Sequence, residues 1–321
     1  MTESNIGPGV HPDLVKVLTA AAGLGLKPIQ TLDPLAAREQ MEWTVAQRQV
    51  PPVEVGAITD RAIPGPDGAI TVRVYRPSGA REAALPALLY FHGGGHVIGS
   101  VTTHDGVGRS LCAQSGCLVI SVDYRMGPEH RFPAAVEDAW AALSWLAEHG
   151  AEIGADTARL AVGGDSAGGN LATVLALMAR DAGGPALRHQ LLIYPLVDYR
   201  CASPSYDRYA TGYGLLEADT MLWFRDHYLR DTADASDWRA SPLLAPDLSG
   251  LPPAHVVVAE CDVLHDEVVA YADRLASAGV AVDAVTYKGM VHAFFPMTVA
   301  VAGADEANAR AAAALKQALT A

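Results

Sequence analysis

A serine between two glycines lies where an apolar run meets a helical pattern. The segment Gly164-Asp165-Ser166-Ala167-Gly168 follows the run Leu160–Val162 and precedes Ala167–Arg180, which is rich in Ala, Leu and Met. The pattern G-x-S-x-G also occurs by chance in ordinary turns, but strand, tight turn and helix together are typical of a nucleophile elbow. Small residues are needed because side chains would collide in so sharp a turn. The context predicts that Ser166 is a nucleophile at a helix N-terminus, whose partial positive charge favours a developing anion.

Three consecutive glycines follow another predicted strand. His92-Gly93-Gly94-Gly95 comes after Ala87–Phe91, and such a loop brings backbone N–H groups close to a ligand oxygen. Acyl transfer needs donors of this kind for its oxyanion. A dinucleotide-binding motif fails because Ile98 stands where a glycine is required, and no G-K-[ST] follows. A flexible glycine loop remains the alternative to an oxyanion-binding loop.

A serine nucleophile requires a base, and the base requires a carboxylate that orients it. His292 lies in a glycine-containing loop just after the last predicted strand, whereas His189 and His255 begin strands and are expected to be structural. Asp262 directly follows a strand and is the first choice for the acid. Glu260 and Asp266 are the alternatives, Asp266 being more simply a helix N-cap.

The surrounding pattern alternates short apolar runs with longer helical segments, which predicts a three-layer α/β structure with a mostly parallel sheet. The predicted strands are Ala69–Tyr75, Ala87–Phe91, Leu118–Val122, Leu160–Val162, Gln190–Tyr194, His255–Ala259 and Val282–Tyr287. The predicted helices include Pro133–Glu148, Ala167–Arg180 and Asp266–Ala278.

Two segments interrupt this alternation. Residues 1–52 read as helices before the first strand, with Asp33 as an N-cap and Pro34 at the first helical position. Residues 199–240 contain eight of the 21 aromatic residues, namely Tyr199, Tyr206, Tyr209, Tyr213, Trp223, Phe224, Tyr228 and Trp238. Two interpretations stay open: an inserted helix packed on the core, or a lid whose aromatics line an apolar pocket.

Composition excludes several classes of protein. The net charge of −13 and the absence of any Lys/Arg cluster argue against nucleic-acid or anionic-membrane binding. The four cysteines form no CxxC pair, so no zinc site is predicted and free thiols in a reducing compartment are expected. Neither a secretory signal nor a membrane span is seen, so we expect a cytoplasmic protein.

These motifs together resemble the hormone-sensitive-lipase-like family of α/β-hydrolase carboxylesterases. The similarity extends from about residue 50 and also covers Tyr124-Arg125, Pro128-Glu129-His130, Phe132-Pro133-Ala134-Ala135, Tyr194-Pro195, Asp198, Ser241-Pro242-Leu243 and the block 262–267. It implies the α/β-hydrolase fold, with helices on both sheet faces and a helical cap. The implied segments are 1–52 and 199–240 for the cap, and 53–198 and 241–321 for the core.

The resemblance also implies the chemistry. Ser166, Asp262 and His292 would form the catalytic triad, and the backbone N–H groups of Gly94, Gly95 and Ala167 would bind the oxyanion. Substrates would be small-molecule esters with short to medium acyl chains, handled without metal or cofactor. A homodimer through the edge of Val282–Tyr287 is expected by the same analogy. Amide, lactone or acyl-transfer chemistry would need the same groups, and a non-catalytic small-molecule receptor is the rival from another class.

The sequence departs from the family pattern at a few positions. Val263 and His265 replace the usual residues of the acid block, which bears on the position of Asp262. His96 stands where an aromatic or apolar residue is commoner, and it is either satisfied by a neighbour or a polar group of the substrate pocket. Asp165, beside the nucleophile, is expected to stabilise the local loop.

Overall fold

An eight-stranded sheet forms the centre of the protein. The computed structural model describes residues 5–48, 50–80 and 84–320; residues 1–4, 49, 81–83 and 321, which belong to the predicted segments 1–52, 53–198 and 241–321, lie outside the described residues. The strand order is β1-β2-β4-β3-β5-β6-β7-β8. The strands are β1 (Ala57–Gly65), β2 (Gly68–Arg76), β3 (Leu85–Phe91), β4 (Leu118–Asp123), β5 (Ala155–Asp165), β6 (His189–Ile193), β7 (Ala254–Cys261) and β8 (Val282–Val291).

The predicted mostly parallel sheet is confirmed. Strands β3 to β8 pair in parallel, and β3 is buried along its whole length, as its continuous apolar run predicts. Strand β1 was not among the predicted strands, and it pairs with β2 in an antiparallel hairpin at one edge. Asp60, Arg61 and Pro64 interrupt its apolar pattern, and most of its residues are exposed or half-buried.

Helices cover both faces of the sheet, as predicted. The helices are α1 (Pro12–Ala22), α2 (Pro34–Gln47), α3 (Asp105–Ser115), α4 (Ala134–His149), α5 (Ala167–Ala182), α6 (Ser205–Arg208), α7 (Ala218–Tyr228), α8 (His265–Ser277) and α9 (Ala302–Thr320). Two hydrophobic clusters divide the core: α4, α5 and α8 contribute to one cluster, and α3 and α9 to the other. The sheet therefore lies between two helical layers.

The two segments that interrupt the alternation touch each other and the core. In residues 5–48, Asp33 caps α2 by accepting a hydrogen bond from the Ala36 N–H at 2.9 Å, which confirms the predicted cap. The Gly7 N–H donates to the Gly212 carbonyl at 2.7 Å, and the His11 N–H donates to the Gly289 carbonyl at 2.9 Å. The N-terminal segment thus contacts both residues 199–240 and the last part of β8, three residues before His292. No helix among the described residues combines the length and apolar character needed to cross a bilayer.

Candidate active site

Ser166 occupies a sharp turn between β5 and α5. Its backbone has φ 55° and ψ −117°, outside the regions that non-glycine residues prefer. A Cβ on Gly164 would lie 2.4 Å from the Gly168 backbone, and a Cβ on Gly168 would lie 1.9 Å from the Phe91 carbonyl oxygen. The predicted strand, turn and helix are therefore present, and only glycine fits on both sides of the serine.

The structure brings Ser166, His292 and Asp262 together from three strand ends. His292 Nε2 lies 2.9 Å from Ser166 Oγ, and His292 Nδ1 lies 2.7 Å from Asp262 Oδ2. The other carboxylate oxygen of Asp262 accepts a hydrogen bond from the Leu264 N–H at 2.9 Å. All three side chains are buried. The serine hydroxyl, imidazole and carboxylate thus form one continuous hydrogen-bonded chain.

The two alternative carboxylates have other partners. Glu260 accepts a hydrogen bond from the Gly289 N–H at 2.7 Å and pairs with Lys288, which together lower the pKa of Glu260. Asp266 pairs with His265 and Arg208. The expectation that Asp266 is an N-cap is wrong, since it lies within the first turn of α8 and Leu264 holds the cap position.

The glycine loop after β3 is fixed to the nucleophile turn through Asp165. Asp165 Oδ1 accepts hydrogen bonds from Tyr90 Oη at 2.5 Å and from the Gly93 N–H at 3.0 Å, and its other oxygen lies 3.4 Å from His104 Nε2. Burial acts to raise the pKa of Asp165, but the charge of His104 and these hydrogen bonds outweigh it and lower the pKa. Asp165 thus stabilises the loop, as expected from the sequence.

Gly94 and Gly95 adopt backbone conformations that favour glycine. Their φ angles are 117° and 61°, and a Cβ on Gly94 would lie 2.0 Å from the Ile98 carbonyl oxygen. The close approach of Phe91 to Gly168 brings this loop against the first turn of α5, which begins at Ala167. The three groups suggested as oxyanion donors therefore lie on two segments that pack together.

His96 is a buried residue that a neighbour satisfies at one ring nitrogen, whereas its Nε2 has no hydrogen-bond partner among the described residues. Its Nδ1 lies 2.6 Å from Tyr199 Oη, and its ring stacks on Tyr228 with centroids 4.1 Å apart. Neither contact could be read from the sequence, because Tyr199 is 103 positions away and Tyr228 is farther still.

Tyr194 also contacts the site in a way that sequence reasoning missed. Its ring centroid lies 4.7 Å from that of His292, and Tyr194 is fully buried. The only sequence signal was that Tyr194-Pro195 forms part of the family resemblance.

The prediction of no metal concerns the same region. Within residues 5–48, 50–80 and 84–320, no three His, Cys, Asp or Glu side chains form a group that could hold a metal ion.

Comparison with known proteins agrees with this geometry. A family model described as the alpha/beta hydrolase fold matches residues 88–296. The ethyl acetate hydrolase of Pseudomonas putida is 42% identical over 317 residues, covering 96% of this chain and 99% of that protein. Carboxylic ester hydrolase LipN of Mycobacterium tuberculosis is 42% identical over 295 residues, covering 90% of this chain and 77% of LipN.

Solved structures give the same result. The hyperthermophilic esterase of the archaeon Pyrobaculum calidifontis superimposes with a TM-score of 0.91 and 43% identity, covering 98% of this chain and all of that one. An ester hydrolase from the metagenome of Lake Arreo, complexed with a bipyridine phosphonate derivative, has a TM-score of 0.92 at 41% identity, covering 97% of this chain and 100% of that one. The chain therefore belongs to the hormone-sensitive-lipase-like family of α/β-hydrolase carboxylesterases.

Proposed function

We propose that this carboxylic ester hydrolase works through an acyl-enzyme on Ser166, with His292 as general base and Asp262 as the carboxylate that orients the base. The observation that carries the proposal is the hydrogen-bonded chain from Ser166 Oγ through His292 to Asp262, with contacts of 2.9 and 2.7 Å. Such a chain is the arrangement that activates a serine hydroxyl.

The steps follow from this geometry. His292 Nε2 takes the proton of Ser166 as its oxygen attacks the ester carbonyl, and the imidazolium then protonates the leaving alcohol. Water, deprotonated by His292, then attacks the acyl carbonyl, and the imidazolium returns that proton to Ser166 Oγ as the carboxylic acid leaves. The backbone N–H groups of Gly94, Gly95 and Ala167 are the proposed donors to the oxyanion, where each donor is worth about 10²–10³ in kcat.

The proposed substrates are neutral small-molecule esters with short to medium acyl chains. The 42% identity to an ethyl acetate hydrolase supports this range. Amides and lactones would pass through the same tetrahedral oxyanion. A panel of nitrophenyl esters of graded acyl length, run beside an amide and a lactone, separates these reactions by kcat/KM.

Substitution of the nucleophile tests the proposal. Ser166→Ala removes the attacking oxygen, so we expect loss of turnover and of labelling by a fluorophosphonate probe, with the fold retained by circular dichroism. Ser249→Ala, which removes the hydroxyl of an exposed serine that donates to Asp247, is the matched control and should behave as wild type. Undiminished hydrolysis by Ser166→Ala refutes the assignment. Absence of both labelling and hydrolysis in the wild-type protein favours the receptor instead.

Two further proposals concern assembly and compartment. Strand β8 ends the sheet and pairs with β7 on one side, which supports a homodimer formed through its other edge. Light scattering that gives a mass near 33.6 kDa rejects the homodimer. All four cysteines lie among the described residues and are free thiols, which supports a reducing compartment such as the cytoplasm.

A further inference from the structure

Aromatic side chains from residues 199–240 pack directly on the glycine loop. The Phe224 ring lies against Gly95 so closely that a Cβ there would be 2.2 Å from Phe224 Cγ. One helical turn further along α7, the Tyr228 ring stacks on His96 at 4.1 Å with an angle of 17° between the planes. One face of α7 therefore covers two consecutive residues of the loop.

A hydrogen bond between two buried side chains adds to this packing. His96 Nδ1 lies 2.6 Å from Tyr199 Oη, and both side chains are fully buried. The Tyr199 backbone is held in turn, since its N–H donates to Ser241 Oγ at 2.9 Å. Burial and the neighbouring His92 lower the pKa of His96 to about 3, so near neutral pH the imidazole is uncharged and forms one neutral hydrogen bond with the tyrosine hydroxyl through Nδ1.

The loop needs such support because its backbone is strained. Gly94, Gly95 and His96 have successive φ angles of 117°, 61° and 59°. A non-glycine residue at positive φ is held only where the surrounding contacts determine its conformation. The Gly127 N–H donates to the His96 carbonyl at 2.9 Å, and the side-chain contacts of His96 come from Tyr199 and Tyr228.

We propose that His96, Tyr199, Phe224 and Tyr228 are positioning residues, which hold the N–H groups of Gly94 and Gly95 where the oxyanion forms without themselves touching the substrate. This inference rests on the proposed function, because it presumes that those N–H groups bind the oxyanion. Donors must lie 2.7–3.1 Å from that oxygen, and a displacement of about 1 Å costs up to about 10² in rate.

Removing one hydroxyl group tests the proposal. Tyr199→Phe keeps the ring and deletes the hydrogen bond to His96. We therefore expect kcat for a nitrophenyl ester to fall by about tenfold, with KM changed less than about twofold, because the oxyanion is absent from the bound ester and forms only as the serine attacks. His96→Phe keeps the ring that stacks on Tyr228 and should give a similar loss. The double variant should be no slower than the slower single variant, because both changes break the same hydrogen bond.

A second measurement separates positioning from simple destabilisation. The affinity for a trifluoromethyl ketone, which forms a tetrahedral oxyanion adduct with a serine, should fall by the same factor as kcat. Tyr271→Phe is the matched control, because Tyr271 is a fully buried tyrosine of α8 whose hydroxyl has no hydrogen-bond partner among the described residues. Its kinetics should equal those of the wild type.

Three outcomes overturn the proposal: Tyr199→Phe with kcat within about twofold of wild type, a change confined to KM, or a lower kcat with unchanged ketone affinity. The Ser166→Ala variant distinguishes failure of the positioning role from failure of the proposed function. If Ser166 is required for turnover but Tyr199→Phe is fully active, only the positioning role is lost.

Discussion

Replacement of Asp262 by asparagine tests the orientation of the base. The side chain serves two partners: Oδ1 accepts from the Leu264 N–H at 2.9 Å, and Oδ2 lies 2.7 Å from His292 Nδ1. In Asp262→Asn the single amide oxygen is needed by the Leu264 N–H, because an NH₂ group cannot accept its hydrogen bond. The NH₂ group then faces His292 Nδ1 and stabilises the tautomer that carries its proton on Nε2.

That tautomer cannot take the proton of Ser166. The opposite amide orientation would set the NH₂ group against the buried Leu264 N–H, at a cost of about 1–3 kcal/mol for the unsatisfied donors. In a serine protease the equivalent change lowers kcat by about 10⁴, which corresponds to about 5.5 kcal/mol of barrier. We expect a loss of about 10³–10⁴ in kcat here, since Asp262 and His292 are buried and water does not replace the carboxylate.

The assay is steady-state hydrolysis of a nitrophenyl butyrate ester near neutral pH, with circular dichroism to check the fold. Glu260→Gln is the matched control. Its side chain holds Gly289 and an exposed ion pair with Lys288, and the glutamine oxygen still accepts from the Gly289 N–H. Because exposed ion pairs contribute at most about 1 kcal/mol, kcat should stay within about fivefold of wild type. A loss of about 10³ in Glu260→Gln, with Asp262→Asn within tenfold of wild type, refutes the reasoning and makes Glu260 the acid.

Two other predictions concern stability. Gly168→Ala places a Cβ 1.9 Å from the Phe91 carbonyl oxygen, so the free energy of unfolding in urea should fall by about 3 kcal/mol or more. The control is Gly106→Ala in α3, where no atom lies near the added Cβ, and this change should be neutral or stabilising by up to about 1 kcal/mol. Equal effects of the two substitutions would contradict the prediction. Burial, followed by the charge of His255, lowers the pKa of His189 to about 4, against about 6.5 in an unfolded chain. The unfolded state therefore binds more protons between these pH values, and stability falls as the pH drops from about 6.5 to 4, by about 3 kcal/mol from His189. Both ring nitrogens of His189 lack partners among the described residues, so His189→Leu should flatten this dependence, and an unchanged slope would rule out His189 as its source.

The succession of strands and helices along the chain could be predicted because most of the predicted strands are continuous apolar runs, as in β3 and β4. Strand β1 could not be predicted, because an edge strand need bury only part of its surface, and Asp60, Arg61 and Pro64 are tolerated there.

The choice of the catalytic carboxylate among Glu260, Asp262 and Asp266 depends on where β7 ends. Glu260 still lies within the strand, whose last residue is Cys261, and Asp262 is the first residue beyond it. A shift of one residue decides which carboxylate reaches His292, and apolar patterning does not define a strand end so closely.

Contacts between the interrupting segments and the catalytic loops could not be predicted, because no local pattern encodes them. The aromatic residues of 199–240 left two interpretations open, core packing or a pocket lining. The structure shows that Phe224 packs on Gly95, within the glycine loop. In the same way, Gly289, three residues before His292, lies so close to the N-terminal segment that a Cβ there would be 2.8 Å from His11 N.

The glycine loop and the end of β8 before His292, which carry the proposed chemistry, therefore both pack against segments outside the sheet. A cap that only controlled substrate access would affect KM when altered, because it would act on binding alone. A cap that holds the glycine loop and the end of β8 in place acts on the geometry of the transition state. Substitutions in such a cap should therefore lower kcat. For this reason we expect α7 to influence the rate of the chemical step even though its side chains pack on the loop and not on the serine.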